Sequence, residues 1–351
     1  MSTDEKLSLT LSAHLSTPKE TRLFQGVQVP WEMFDYSEEF RVAERQGGLF
    51  DLTDLGVVQL QGKDAQDYLQ RMTTVQFKTL GQNQLVHGAF LNGRAGVIAL
   101  GVFRKVDDQT FHFIVSQEKK DRVLEHIEQF HFGEQFVVSD LTSQFSVFGL
   151  WLNSEIQVKS FGFEKLVNPL DACCIGSDQS SLAAWKDVRR PQLFWVVVET
   201  RQAISFIKKG LEYGLKQLGR RLFEFFRLEA GVPWAGDELR ETDIILEGGF
   251  DEAVARNKGC YPGQEVVERI FTYGQVNRKL QRVTLTGEIP PVLKLPILFF
   301  SQGKEVGTLV SCSNNPLVEK TGTGLMYVRK EFWSKRDQWE SSENMKAQLK
   351  V

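Results

Sequence analysis

After Gly274 the chain changes its hydrophobic period. Apolar and polar residues alternate in extended stretches at Arg282 to Thr286, Ile297 to Phe299, Glu305 to Val310 and Gly324 to Val328, and no strong helical pattern returns before Arg329. A period of two puts one face of each stretch inward and the other toward water. Strands that follow one another without helices expose their edges unless the sheet closes on itself. The expectation is a C-terminal antiparallel β-barrel domain over residues 275–351, of a size suited to a small barrel.

Upstream of that switch the pattern is mixed. Phe34 to Arg45 reads as a short helix broken by Gly47 and Gly48, Val57 to Leu60 as a strand, and Lys63 to Met72 as a helix burying Ala65, Tyr68, Leu69 and Met72. Leu85 to Leu91 and Val97 to Phe103 form a hairpin across Asn92, Gly93, Arg94, Ala95 and Gly96, residues suited to a tight connection. Phe111 to Val115 is a further strand, and Lys119 to Phe130 a helix with Val123, Leu124, Ile127 and Phe130 inward. Strands at Phe136 to Val138, Ser146 to Leu152 and Phe194 to Val198 precede a helix carrying Ile204, Ile207, Leu211, Leu215 and Leu218. Leu222 to Ala230 is helical, with Gly231 as a left-handed cap and Pro233 as a stop. Asn153 to Arg190 has little periodicity. The fold class is α+β, antiparallel sheets backed by helices, over residues 21–274, after a polar leader at 1–20.

A formal charge of -3, with 42% apolar and 25% charged residues, describes an ordinary globular chain with no global field for nucleic acid. No apolar run reaches membrane-spanning length. The polar leader, with Asp4 and Glu5 and no Arg before Arg22, does not resemble a transit peptide, and a cytoplasmic monomer is expected. Cys173, Cys174, Cys260 and Cys312 show no metal-ligand spacing, so no metal site is assigned. Dinucleotide, P-loop, HExxH and GxSxG motifs are absent.

The chemistry-bearing stretch is KGCYPGQE, Lys258 to Glu265, continuing to Arg269. Pro262 and Gly263 specify a tight bend, Gly259 is a second permissive point, and Cys260 and Tyr261 lie between the two glycines. Cationic neighbours favour a thiolate, and Arg256 and Lys258 are near in sequence, which makes Cys260 a candidate for chemistry as much as a small apolar filler. Glu265, Glu268 and Arg269 suit a solvated helical face as well as a site. Arg227 and Glu229, at the end of the Leu222 helix, read from the sequence as a surface ion pair.

KGCYPGQEVVERI, with RLEAGVPWAGDEL, Glu247, Gly249 and Phe250, FDLTDLGVVQLQG and LNGRAGVI, closely resembles the YgfZ-type folate-binding proteins, relatives of the T-protein (aminomethyltransferase) of glycine cleavage; the KGCYxGQE string is highly specific. The resemblance runs from about Gly48 to Val328. It implies two intertwined ferredoxin-like units and a C-terminal barrel in a ring around a channel for tetrahydrofolate or a derivative. The candidate folate contacts are Arg227, Trp195, Asn92 and Tyr261. Lys258, Gly259, Cys260, Tyr261, Gly263, Gln264, Glu265 and Arg269 form the signature loop, with Cys260 as its chemical residue. The implied role is support of iron–sulfur cluster assembly or repair, including for tRNA-thiolating enzymes, through contact with iron–sulfur enzymes or assembly factors. The alternative is a folate-dependent aminomethyltransferase. Where the T-protein has an acidic pair this chain has Ala99 and Leu100, and where it has a glutamate in a later strand the nearest residue is Trp195. One-carbon transfer needs an acid beside the reacting amine, so these departures argue for the first role.

Overall fold

The computed structural model describes residues 16–166, 172–174, 182–236, 238–290, 293–335, 337–343 and 345–350. Residues 1–15 of the expected leader lie outside these, and Cys173 and Cys174 are described in their backbone only. Compactness divides the chain into one unit of Met1–Arg71, Val75–Gly88 and Gly101–Phe223 and another of Met72–Thr74, Ala89–Leu100 and Glu224–Val351.

In chain order the first unit contains β1 (Glu20–Phe24), β2 (Val27–Glu32), α1 (Tyr36–Gln46), β3 (Gly48–Asp51), β4 (Leu55–Gln61) and α2 (Ala65–Met72). It continues with β5 (Leu85–Leu91) and β6 (Val97–Lys105), of which Ala89–Leu91 and Val97–Leu100 belong to the second unit, then β7 (Thr110–Ser116), α3 (Gln117–Gln129), β8 (Val137–Asp140), β9 (Phe145–Trp151) and α4 (Glu155–Phe161). β10 (Ala172–Cys174), β11 (Leu182–Lys186), β12 (Leu193–Glu199), α5 (Thr200–Glu212) and β13 (Lys216–Leu218) complete it. One sheet has the order β5-β6-β7-β4-β8, the other β10-β11-β12-β9-β3-β13. The second sheet is antiparallel but for β13, which runs parallel to β3. Its core collects Leu49, Phe148, Leu150, Phe161, Phe194, Val196, Val198 and Ile207.

Two expected helix faces are corrected. Phe130 is exposed, because α3 stops at Gln129. Ile204 is also exposed, and Leu215 and Leu218 are not helical: α5 ends at Glu212, Gly214 turns with φ +86°, and Leu218 enters β13. Both leucines are buried, and the pairing of β13 with β3, Leu218 opposite Phe50, overrides the helical spacing.

The second unit follows α6 (Arg220–Glu229), whose first residues still belong to the first unit, through α7 (Gln264–Tyr273) to the barrel. Gly231 caps α6 at φ +66°, as the sequence predicts. The barrel strands β14 (Arg278–Thr286), β15 (Ile297–Ser301), β16 (Lys304–Asn314), β17 (Thr321–Arg329), β18 (Trp339–Ser341) and β19 (Lys346–Leu349) close in the order β14-β17-β16-β15-β18-β19. Val283, Leu285, Phe299, Val306, Leu309, Met326, Val328 and Trp339 fill it. The mixed α+β class with a closed C-terminal antiparallel barrel agrees with the expectation. No described helix is long and apolar enough to cross a membrane.

Candidate functional site

The signature loop is built on the bend predicted for Pro262 and Gly263. Gln264 N donates to Tyr261 O at 3.2 Å, and Gly263 takes φ +79° and ψ -3°, the left-handed position that opens α7. A Cβ on Gly263 would lie 2.7 Å from Ala95 N, Ala95 Cα and Asn92 O, so the bend rests on the tip of the β5–β6 hairpin. That tip is organised by Asn92: its Oδ1 accepts from Arg94 N at 2.9 Å and Gly96 N at 3.0 Å, and its Nδ2 donates to Glu241 O at 2.8 Å. The LNGRAG and KGCYPGQE stretches, far apart in sequence, thus meet within the second unit. Asn92 acts there as the organiser of a turn.

A second set of bonds fixes the approach to the loop. Thr74 Oγ1 donates to Ala253 O at 2.6 Å, Ala255 N donates to Thr74 O at 2.9 Å, and Lys258 Nζ donates to Thr73 O. Lys258 is buried, 4.8 Å above the ring of Tyr261, and burial pushes its pKa down to about 7. The expectation that Lys258 would serve Cys260 as a cationic neighbour is corrected, since its amine turns inward as an anchor. Arg256 lies over the Phe271 ring at 4.7 Å and 4.0 Å from Glu268. Cys260 is exposed, beside Gly259 at φ +90°. Glu265 and Arg269 are exposed on α7, and Gln264 is half-buried.

Because the native Lys258 amine has the depressed pKa, the folded chain binds fewer protons than the unfolded one between about 7 and 10.5. Its contribution to stability is therefore present above that window, decreases as pH falls across it and is lost below about 7. Thermal denaturation at pH 6.5 through 10 should show wild type gaining on Lys258→Met as pH rises. Parallel curves would place the amine in water.

Tyr261 is buried in a cluster with Leu91, Ala95, Val97, Leu100, Leu246 and Val267. Burial, with Glu268 adding to it, raises its pKa to about 12. Its hydroxyl has no hydrogen-bond partner among the described residues. Ala99 is buried on β6 beside Leu100.

Arg227 sits far from solvent. Its Nε and Nη2 donate to Glu224 Oε2 at 2.8 and 2.6 Å, Nη2 also to Glu238 Oε1 at 2.8 Å, and Nη1 to Val232 O at 2.6 Å. Trp234 joins the same carboxylates, through its backbone N to Glu238 at 2.6 Å and its indole to Glu224 at 3.1 Å. Burial opposes the Arg227 charge, but Glu224 and Glu238 hold its pKa above the ordinary value, and burial raises that of Glu238. The surface pairing with Glu229 is corrected: Glu229 pairs with Lys350. Glu224, three residues before Arg227 on one helix, carried a spacing signal, whereas Glu238 beyond the Pro233 stop carried none.

Trp195 lies in the first unit, and its indole N–H donates to Asp187 Oδ2 at 2.8 Å. Asp187, paired with Arg190 at 3.0 Å, was not legible as a partner. Burial works against the Asp187 charge, but Arg190 and Trp195 hold its pKa below the usual range. A cavity of about 440 Å³ elsewhere in this unit, lined by Val158, Phe163, Phe194, Lys159 and Lys186 among others, includes none of the expected site residues.

Residues 20–151 match the model of the GCVT N-terminal domain. A putative chloroplastic transferase of Arabidopsis thaliana is 24% identical over 322 residues, covering 86% of this chain and 69% of the relative. An aminomethyltransferase of Oceanobacillus iheyensis is 21% identical over 333 residues, covering 90% and 88%. The crystal structure of glycine cleavage system aminomethyltransferase T from Bartonella henselae superposes with a TM-score of 0.82 at 17% identity, covering 98% of this chain and 95% of that one. The superposition establishes a T-protein fold.

Proposed function

We propose that this chain binds tetrahydrofolate or a derivative and supports iron–sulfur enzymes, including tRNA-thiolating ones, without ordinary aminomethyl turnover. The observation that carries the reading is the apolar burial of Ala99 and Leu100 on β6, where one-carbon transfer would need an acid. The buried carboxylates Glu224, Glu238, Asp243 and Glu247 of the same unit are each paired with arginine, which leaves them poorly suited to act as a base. The T-protein fold and the unpartnered Tyr261 hydroxyl in the signature loop fit a folate. Tyr261 would contact it, and the loop and hairpin would shape its seat; when bound, the folate would supply a carrier for one-carbon units. The exposed thiol of Cys260, on a loop freed by Gly259, suits transient contact with a client protein.

The second reading, aminomethyl transfer, is favoured by the names of the relatives. One experiment separates the two. Calorimetric titration with reduced folates should show binding, while an assay with a carrier-bound aminomethyl substrate should show no turnover in the usual enzyme range of about 1–1,000 per second. In cells lacking the chain, Cys260→Ala should restore client enzyme activity less well than wild type at equal folate affinity. Aminomethyl turnover at ordinary rates would overturn the reading, and full complementation by Cys260→Ala would remove the thiol from it.

A further inference from the structure

The cavity of about 440 Å³ in the first unit lies at one end of β9, β11 and β12, beside Leu152, Lys186 and Phe194. The helical layer is short there. α4 has seven residues and ends at Gly162, φ +77°, so it leaves part of the sheet end uncovered. Lys186 pairs with Phe194 across β11 and β12, and Trp185 with Trp195. Successive side chains of a strand point to opposite faces, so Lys186 and Phe194 share one face and the two tryptophans the other. Phe194 packs with Phe161 and Phe163, which puts the cavity on the α4 side of the sheet, away from Trp195.

The apolar wall is Leu152, Val158, Leu166 and the rings of Phe163 and Phe194, which stack at 5.4 Å with planes 22° apart. Two of the polar lining residues are committed to the chain itself. Asn153 donates through its backbone N to Gln157 Oε1 and through Nδ2 to Glu44 O, both at 2.9 Å, and Ser154 Oγ accepts from Gln157 N at 3.2 Å. The other four are charged: Glu155, Lys159, Glu164 and Lys186. None of these side chains has an ion-pair or hydrogen-bond partner among the described residues. Glu155 and Lys159 stand four apart on α4, in the spacing and order that favour a pair on a helix surface, yet both line the cavity without joining. Lys186 is half-buried, where an unmatched charge costs more than it does in water.

We propose that this cavity binds an aromatic α-amino acid as its zwitterion. The carboxylate faces Lys159 and Lys186, the ammonium faces Glu155 and Glu164, and the side chain lies against Phe163 and Phe194. The volume falls in the range of about 300–1,000 Å³ usual for small-molecule sites. A simple anion would gain two lysines and meet two carboxylates, and a simple cation the reverse. An uncharged ring would leave all four charges without a match while taking water from them. A molecule with both charges on one carbon answers both pairs, and its ring extends a stack that the chain has already built. The site lies apart from the proposed folate contacts and does not depend on them.

Calorimetric titration of the full chain with L-phenylalanine, glycine, 3-phenylpropanoate and phenethylamine tests this. The variants are Lys159→Gln with Lys186→Gln, and Glu155→Gln with Glu164→Gln; all four side chains are exposed or half-buried and tie no other element in place. Wild type should bind phenylalanine about tenfold or more tighter than any of the other three. The lysine variant should weaken phenylalanine and 3-phenylpropanoate about tenfold, the loss of one charged contact, and leave phenethylamine unchanged. The glutamate variant should weaken phenylalanine and phenethylamine by a similar factor and leave 3-phenylpropanoate unchanged. Binding of 3-phenylpropanoate or phenethylamine as tight as that of phenylalanine in wild type overturns the zwitterion, and glycine binding as tightly overturns the aromatic side chain. No phenylalanine binding, or equal affinity in wild type and both variants, overturns the site.

Discussion

Arg227→Ala is expected to lower the stability of the chain by about 3–5 kcal/mol, the usual cost of removing one member of a buried, hydrogen-bonded ion pair. Arg227 is 2% exposed, and its guanidinium satisfies two carboxylates and a carbonyl. Its removal leaves Glu224 and Glu238 facing one another in an apolar setting and frees the Val232 carbonyl at the end of α6. Trp234, tied to both carboxylates, loses its frame as well. Urea denaturation of wild type, Arg227→Ala and the triple variant with Glu224→Gln and Glu238→Gln checks this. The triple variant should recover part of the loss, because it removes the uncompensated charge. A residue whose role was to touch a ligand would instead leave stability near wild type and change affinity alone, and that outcome would favour Arg227 as a folate contact over a structural anchor.

What could be read from the sequence and what could not differ by the range of the interaction. The β5–β6 hairpin, the Gly231 cap and the Pro262–Gly263 bend were legible because a few adjacent residues determine each one. Four of the barrel strands were legible from their period, whereas Trp339–Ser341 and Lys346–Leu349 are too short to show one and exist through pairing with β14 and β15. The same holds for β13, a three-residue strand defined by β3. In the site, the motif was visible but the direction of each side chain was not. Lys258 stands two residues from Cys260 and turns to Thr73, 185 residues away in sequence. Burial also changed the meaning of Arg227: an arginine near a helix end reads as a surface ion pair until Glu238, beyond the turn, closes over it.

The other large effect is expected at the bend of the signature loop, where Gly263→Ala and Gly259→Ala form a matched pair. Both glycines have positive φ, +79° and +90°, so an alanine at either carries the left-handed penalty of about 1–2 kcal/mol. Only Gly263 is also crowded. Nothing lies within 4 Å of a Cβ built on Gly259, but one on Gly263 meets backbone atoms of Asn92 and Ala95 at 2.7 Å, and backbone cannot swing aside as a flexible side chain would. The hairpin tip is itself tied by Asn92 to Glu241 and by Gly96, whose own Cβ would sit 1.9 Å from Glu241 O, so it has little room to retreat. Overpacking should add about 1–3 kcal/mol at Gly263 alone. Urea denaturation should therefore rank Gly263→Ala well below Gly259→Ala, and folate titration should show weaker binding for Gly263→Ala, whose bend must lift Tyr261 away from the hairpin. Equal losses for the two variants would mean that the bend does not bear on the hairpin in solution, and the link between the LNGRAG and KGCYPGQE stretches would fail with it.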